Sequence, residues 1–220
     1  MPTSARRQDS SDSRAIPRHA EGKEISTLPR IFEDDINIAI MRRRLPDDIQ
    51  AGVKTQLQAE RALSFAWLGP AGDALRAELA QHLHAPDACG ELIEDIVTLA
   101  DAMAYLFDTD TVGLRLRRMD GAMCPRFHCD NLPVRLVTTY HGPGSEWLPE
   151  WAVNRHGLGA PTPEKPEIVT EPGAVQRLEV GDLALLKGSG WIGNEAHGLV
   201  HRSPDVPAGQ PRLLLTLDPA

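Results

Sequence analysis

The chain has 220 residues, 41% of them hydrophobic, and a formal net charge of -8. That length and composition support one compact domain with a sizeable core and exclude disorder throughout. The acidic balance disfavours binding nucleic acid through the whole surface, which draws on clustered positive charge.

The densest basic run, Arg42-Arg-Arg44, reads as a solvated face, because three adjacent residues of extended chain cannot all face one partner. No apolar run approaches the ~18 to 20 residues that cross a bilayer, and no secretory apolar stretch opens the sequence. The three cysteines, Cys89, Cys124 and Cys129, are too few and odd in number for a disulfide framework. A cytoplasmic protein with free thiols, no membrane partner and no nucleic-acid partner is the expectation.

In chain order, residues 1–28 are rich in Ser, Arg, Asp and Pro and are expected to form a disordered arm. Residues 29–109 then supply a strand and a helical layer, and 110–220 a metal-binding core, with 29–220 forming one compact unit. Ile36-Asn-Ile-Ala-Ile40 alternates like a strand. Helical patterns follow over about 46–67, 71–84 and 88–107, divided by Gly69-Pro70 and Pro86. In the last, Leu92, Ile93, Ile96, Leu99, Ala100, Met103 and Leu106 make a stripe suited to core packing.

From Thr111 the period changes to two. Val112, Leu114 and Leu116 alternate with Gly113, Arg115 and Arg117; Val134 to Tyr140, Leu178 to Leu186 and Arg212 to Leu217 also read as strands. Pro and Gly cluster between them without a helix long enough for a crossover, so a mainly antiparallel sandwich or barrel is expected.

Within this β-rich half, His128 and Asp130 are two residues apart. On an extended segment they share one side of the chain, a geometry that suits two ligands of one metal. His19-Ala-Glu21 and His82-Leu-His84 contain similar ligand types but sit in a polar tail and a helix, where the context does not fit. A carboxylate with two imidazoles, the second being His201, is the set that holds Fe(II) on one face and leaves other positions open. Arg212 could hold a second acid.

These residues resemble the Fe(II)- and 2-oxoglutarate-dependent dioxygenase superfamily, prolyl-hydroxylase-like, over about residues 111–218. The likeness is carried by Leu116-Arg-Arg-Met-Asp-Gly121 leading into Phe127-His128-Cys-Asp130, by Gly181-Asp182-Leu-Ala-Leu-Leu186, and by the run from His201 through Pro204, Val206 and Gly209 to Arg212. It implies an α+β fold: a double-stranded β-helix, or jelly roll, with the N-terminal helical layer against it. It also implies iron on His128, Asp130 and His201, with Arg212 pairing the distal carboxylate of 2-oxoglutarate through a planar, permanently charged fork. Met119 stands where relatives often carry a tyrosine that touches the cosubstrate, so Tyr140 or Arg135 is the expected replacement donor.

The whole chain also resembles a narrower, uncharacterised bacterial family, domain of unknown function 1826. That likeness lies in Cys124-Pro-Arg-Phe-His128, Tyr140-His-Gly-Pro-Gly-Ser-Glu-Trp147-Leu and the stretch from Gly188 to Pro204. Members are thought to accompany zinc-responsive genes, which frames a rival: a zinc-binding or metal-homeostasis protein without catalysis. Cys124, His128 and Cys129 with His197 or His201 could supply tetrahedral ligands, although no paired Cys-x-x-Cys spacing is present. A non-catalytic jelly-roll scaffold is the third alternative.

Arg126, Trp147, Trp191 and Asn194 are further candidates for a substrate pocket, framed by loops 141–170 and 188–198. The substrate, a small molecule or a protein side chain, and the oligomeric state stay open.

Overall fold

A computed structural model describes residues 18–220. Residues 1–17 of the expected arm lie outside the described residues, and the remainder of it is ordered structure. Strand β1 (Arg18–Gly22) runs parallel to β2 (Ile36–Met41), with a 3-10 segment, Ile25–Phe32, between them. Only Ala20 of β1 has an apolar side chain that is buried, so this edge strand has little hydrophobic signal to read.

Helix α1 (Asp47–Gln58) starts after Pro46, whose fixed φ suits a helix entry, and Asp47 and Asp48 in its first turn oppose the helix dipole favourably. It ends sooner than the helical pattern suggests. Ser64–Gly69 is strand β3, paired antiparallel with β4 (Val112–Met119), because Phe65 goes inward while Ser64 and Ala66 stay outside, a period of two rather than 3.6. Helices α2 (Asp73–His82) and α3 (Gly90–Leu106) follow, close to their expected ranges. The α3 stripe buries Leu92, Ile93, Ile96, Leu99, Ala100 and Met103. Each large aliphatic group placed there contributes roughly 1.5–3 kcal/mol relative to exposure.

The remaining strands are β5 (Val134–His141), β6 (Glu146–Trp147), β7 (Gln176–Arg177), β8 (Leu183–Lys187), β9 (His201–Arg202) and β10 (Arg212–Pro219). They form a seven-stranded sheet in the order β1-β2-β8-β5-β10-β4-β3 and a three-stranded sheet β7-β6-β9. Every neighbour pair except β1 with β2 is antiparallel. The larger sheet is open rather than closed.

That sheet has two different faces. Leu114, Leu116, Leu136, Leu215 and Leu217 pack with the helices in the main core. The alternate residues, among them Met119, Val137, Leu186 and Leu214, meet Trp147 and Leu199 from the side of the small sheet. A third cluster around Phe127, Leu148, Ile168 and Val200 braces the loops there. The gap between the two sheets is where polar side chains converge.

Candidate metal centre

Two short strand contacts bring the His128 segment to β9. The backbone amide of His128 donates to the carbonyl of His201 at 3.0 Å and the amide of His201 donates back at 2.9 Å, making an isolated antiparallel bridge. Directly opposite residues of such a pair share a face. The two imidazoles accordingly lie together, with ring centroids 4.6 Å apart. Asp130, two residues beyond His128, places Oδ1 3.6 Å from His128 Nε2 and Oδ2 3.8 Å from His201 Nε2. One ligand atom from each of the three lies within 4.8 Å of the others.

The hydrogen bonds behind these rings decide which nitrogen is available. His128 Nδ1 lies 3.0 Å from the Arg126 carbonyl and His201 Nδ1 3.3 Å from the Leu199 carbonyl. A carbonyl oxygen can only accept, so each Nδ1 carries the hydrogen and each Nε2 presents a lone pair, the arrangement usual for metal-ligating histidine. Burial pushes His201 down to about 4, which keeps it neutral, as a ligand must be, at physiological pH.

Asp130 is held from behind. Arg135 on β5 donates from Nη1 to Asp130 Oδ2 at 2.7 Å, and from Nε and Nη2 to the two oxygens of Asp218 on β10 at 2.7 and 2.8 Å. Burial works against the Arg135 charge, but Asp218 and Asp130 together outweigh it and raise its pKa. Each nitrogen of this guanidinium donates within the protein, so Arg135 orients the carboxylate of Asp130.

Arg212, the first residue of β10, is completely buried. Its Nη2 donates to Thr139 Oγ1 at 3.0 Å and Ser145 Oγ at 2.7 Å, while Nε and Nη1 have no acceptor at all. Desolvation lowers its pKa to about 10, and no carboxylate offsets that cost. It still carries its charge at neutral pH. A buried cation with two unsatisfied donors is a strongly unfavourable arrangement unless an anion completes it. Gly142, at φ +82, lets the chain turn after β5 against the Arg212 backbone and brings Ser145 to this group; a Cβ there would lie 2.9 Å from the Pro211 carbonyl oxygen.

A cavity of about 270 Å³ opens between the sheets, with His128, His201, Arg135 and Ser145 in its wall. It is framed by β4, β5 and β10 of the larger sheet, by residues 123–128 and by residues 201–203. Ser145 is the one lining residue from loop 141–170, and loop 188–198 supplies none. The expected pocket residues are accordingly placed elsewhere. Arg126 donates to the Gly157 carbonyl at 2.7 Å, Trp147 is a buried core residue between the sheets, and Trp191 packs against Phe32, Phe107 and Lys187 on the far side. Asn194 is buried in its own turn.

Tyr140 also faces away. It lies on the helical side of β5 and its hydroxyl donates to Asp95 at 2.6 Å; burial, reinforced by Asp95, raises its pKa well above the ordinary value. The odd-numbered neighbour, Thr139, supplies the hydroxyl near Arg212 instead. The cysteines do not join the metal group either. Cys124 is exposed at the cavity wall, and Cys129, raised in pKa by burial, directs its sulfur to the Asp130 carbonyl at 3.5 Å. His197 lies outside the cluster, with its Nδ1 3.6 Å from Glu150. Among the described residues, His128, Asp130 and His201 form the group able to hold a metal.

Thr139, Ser145 and Asp218 escaped sequence reasoning because short hydroxyls and a near-terminal aspartate carry no motif. Arg115 and Arg117 did have a signal, since they alternate with the buried Leu114 and Leu116 and must therefore share the opposite face.

The donor set fits a divalent metal with open positions, and the buried Arg212 fits a carboxylate beside it. No helix among the described residues is long and apolar enough to cross a membrane. No curated protein matches the chain in sequence. Among solved structures, a rice dioxygenase for auxin oxidation superposes with a TM-score of 0.54 at 15% identity, covering 93% of this chain and 83% of that one. The Arabidopsis thaliana dioxygenase for auxin oxidation 1, solved as a binary complex with 2-oxoglutarate, does so with a TM-score of 0.50 at 9% identity, covering 93% and 92%. A Pseudomonas putida prolyl-4-hydroxylase aligns over 87% of this chain and 90% of its own at 13% identity, with a TM-score of 0.44. At these identities the likeness is one of fold, a jelly-roll core with an N-terminal helical layer. The chain belongs to the family described as protein of unknown function DUF1826, whose model matches residues 22–218.

Proposed function

We propose that the protein is an Fe(II)- and 2-oxoglutarate-dependent oxygenase that carries out a hydroxylation-type oxidation. The observation that carries this reading is Arg212: a fully buried guanidinium with two unsatisfied donors, bonded to Ser145 in the wall of the cavity that also holds His128 and His201. A protein that only stores zinc has no use for such a group. A keto acid that ligates metal at one end needs one at the other.

In this reading His128 and His201 bind through Nε2 and Asp130 through a carboxylate oxygen. The bound metal and keto acid supply oxygen activation coupled to decarboxylation. The chain's own part is to position and to exclude water. Arg135 fixes the orientation of Asp130, Thr139 and Ser145 fix the orientation of Arg212, and Val137 and Leu214 keep the cavity wall apolar.

The test is calorimetric titration of 2-oxoglutarate with and without Mn(II), a metal that mimics Fe(II) without oxidising. Binding is expected only when the metal is present, and loss of that dependence is expected in His201→Ala. Tight metal binding with no effect on keto-acid affinity would favour the zinc-handling or scaffold reading instead.

A further inference from the structure

The protein carries a net charge of -8, yet its central cavity is cationic. Arg115, Arg117, Arg135 and Arg202 line it, and no carboxylate does. Three of the four are accounted for. Arg135 binds Asp130 and Asp218, Arg115 lies 3.1 Å from Asp218, and Arg202 donates to Glu146 at 2.7 Å while lying over the Phe127 ring.

Arg117 is different. Among the described residues no carboxylate pairs with it; its Nη1 meets only the weak acceptor Met123 Sδ at 3.8 Å, and its Nε is buried without any partner. Arginine cannot shed its proton to escape this, so the cavity holds one uncompensated positive charge on a partly buried donor. Its location is informative. Arg117 stands opposite Leu214 in the β4–β10 ladder, and Arg212 is two residues further along β10, opposite Met119. The two guanidinium-bearing positions are therefore diagonal neighbours on one sheet face, roughly 7–8 Å apart and within reach of long side chains. Arg212 is deep and braced by two hydroxyls; Arg117 is nearer the open side, beside the apolar groups of Met123, Val137 and Leu214.

We infer that Arg117 is the specificity-determining residue for the primary substrate, and that this substrate carries a single carboxylate on a small apolar body. This rests on the proposed function, in which Arg212 is reserved for the cosubstrate. A monoanion is favoured because, of the four arginines in the wall, Arg117 alone is left without a carboxylate, and Met123, Val137 and Leu214 are the apolar groups beside it.

The experiment is anaerobic calorimetric titration with straight-chain monocarboxylates from butanoate to decanoate, each compared with its amide. It is run on protein saturated with Fe(II) and 2-oxoglutarate and again on protein without either. At least one carboxylate is expected to bind about tenfold or more tightly than its amide, since a charge-assisted pair is replaced by a neutral one. Arg117→Gln is expected to remove that preference while leaving 2-oxoglutarate affinity unchanged, and Arg117→Lys to retain part of it. Amides binding as well as acids, no acid binding at all, or a preference that survives in Arg117→Gln would overturn the inference. Failure of 2-oxoglutarate to saturate the first sample counts against the proposed function instead, and the acid–amide comparison in the second sample still decides the role of Arg117.

Discussion

Arg212 shows how a single side chain can be unfavourable for folding and useful for binding. Its pKa of about 10 in the folded protein lies below the ordinary arginine value, so the charged form is disfavoured by the fold. That penalty is fully present below about pH 10 and is relieved only as pH rises beyond it towards the ordinary arginine value. Replacing the residue with an apolar chain of similar length removes the unpaired charge. Arg212→Met is therefore expected to leave the ligand-free protein as stable as wild type or more so in urea unfolding, while weakening 2-oxoglutarate about a hundredfold and leaving metal affinity intact. Equal keto-acid affinity in the two proteins would refute the assignment. Sequence alone singled out His128, Asp130, His201 and Arg212, because ligand type and spacing along extended chain are written in the residues themselves. It did not reveal that Tyr140 points to Asp95 or that Arg135 is spent on Asp130 and Asp218, since facing direction depends on which strand pairs with which.

At the level of strands and helices, the site depends on contacts between elements far apart in sequence. The last strand, β10, contributes Arg212 at its start and Asp218 near its end, and through Arg135 the latter steadies Asp130, the proposed metal ligand in the segment before β5. Asp218→Asn should weaken this hold and lower metal affinity by about 10- to 100-fold with the fold retained, measured by competition with a chelator. The small sheet has a comparable tie. Glu146 on β6 stands opposite Arg177 on β7 and Arg202 on β9 and pairs with both. Burial alone would raise its pKa; the hydrogen bonds and charges of the two arginines outweigh that and hold it below the usual carboxylate range. With the folded value depressed, its contribution is fully present above the unfolded value near 4.5 and is lost as pH falls through the folded one. Glu146→Gln should cost on the order of 2 kcal/mol at pH 7 and flatten the stability loss of the metal-free protein in acid; an unchanged acid limb would show that the tie is unimportant. Long, strongly patterned elements such as α3, β4 and β5 were legible, whereas β3 was absorbed into a helical reading and two-residue strands β6, β7 and β9 have too few residues to show any period.

On the scale of the whole molecule, the larger sheet separates two kinds of chemistry. Its helical side is filled with Leu, Ile and Val and provides most of the burial that stabilises the fold. The other side, facing the small sheet, collects two imidazoles and four arginines around one cavity, with Asp130 held beside the imidazoles. The alternation of Leu114 and Leu116 with Arg115 and Arg117 already carries this division, one residue to each face. What one-dimensional pattern could not convey is that the segment between β4 and β5 closes over the strand faces to complete the cavity wall, while the loop around Ile168 braces the structure. The central claim is that metal and keto acid bind together on His128, Asp130, His201 and Arg212. Its most direct test is anaerobic addition of Fe(II) and 2-oxoglutarate to metal-free protein, followed by visible absorption spectroscopy. The account predicts a weak charge-transfer band from keto-acid chelation of iron, absent in His201→Ala and needing much more 2-oxoglutarate in Arg212→Met. No band from the wild-type protein at saturating concentrations of both would contradict it.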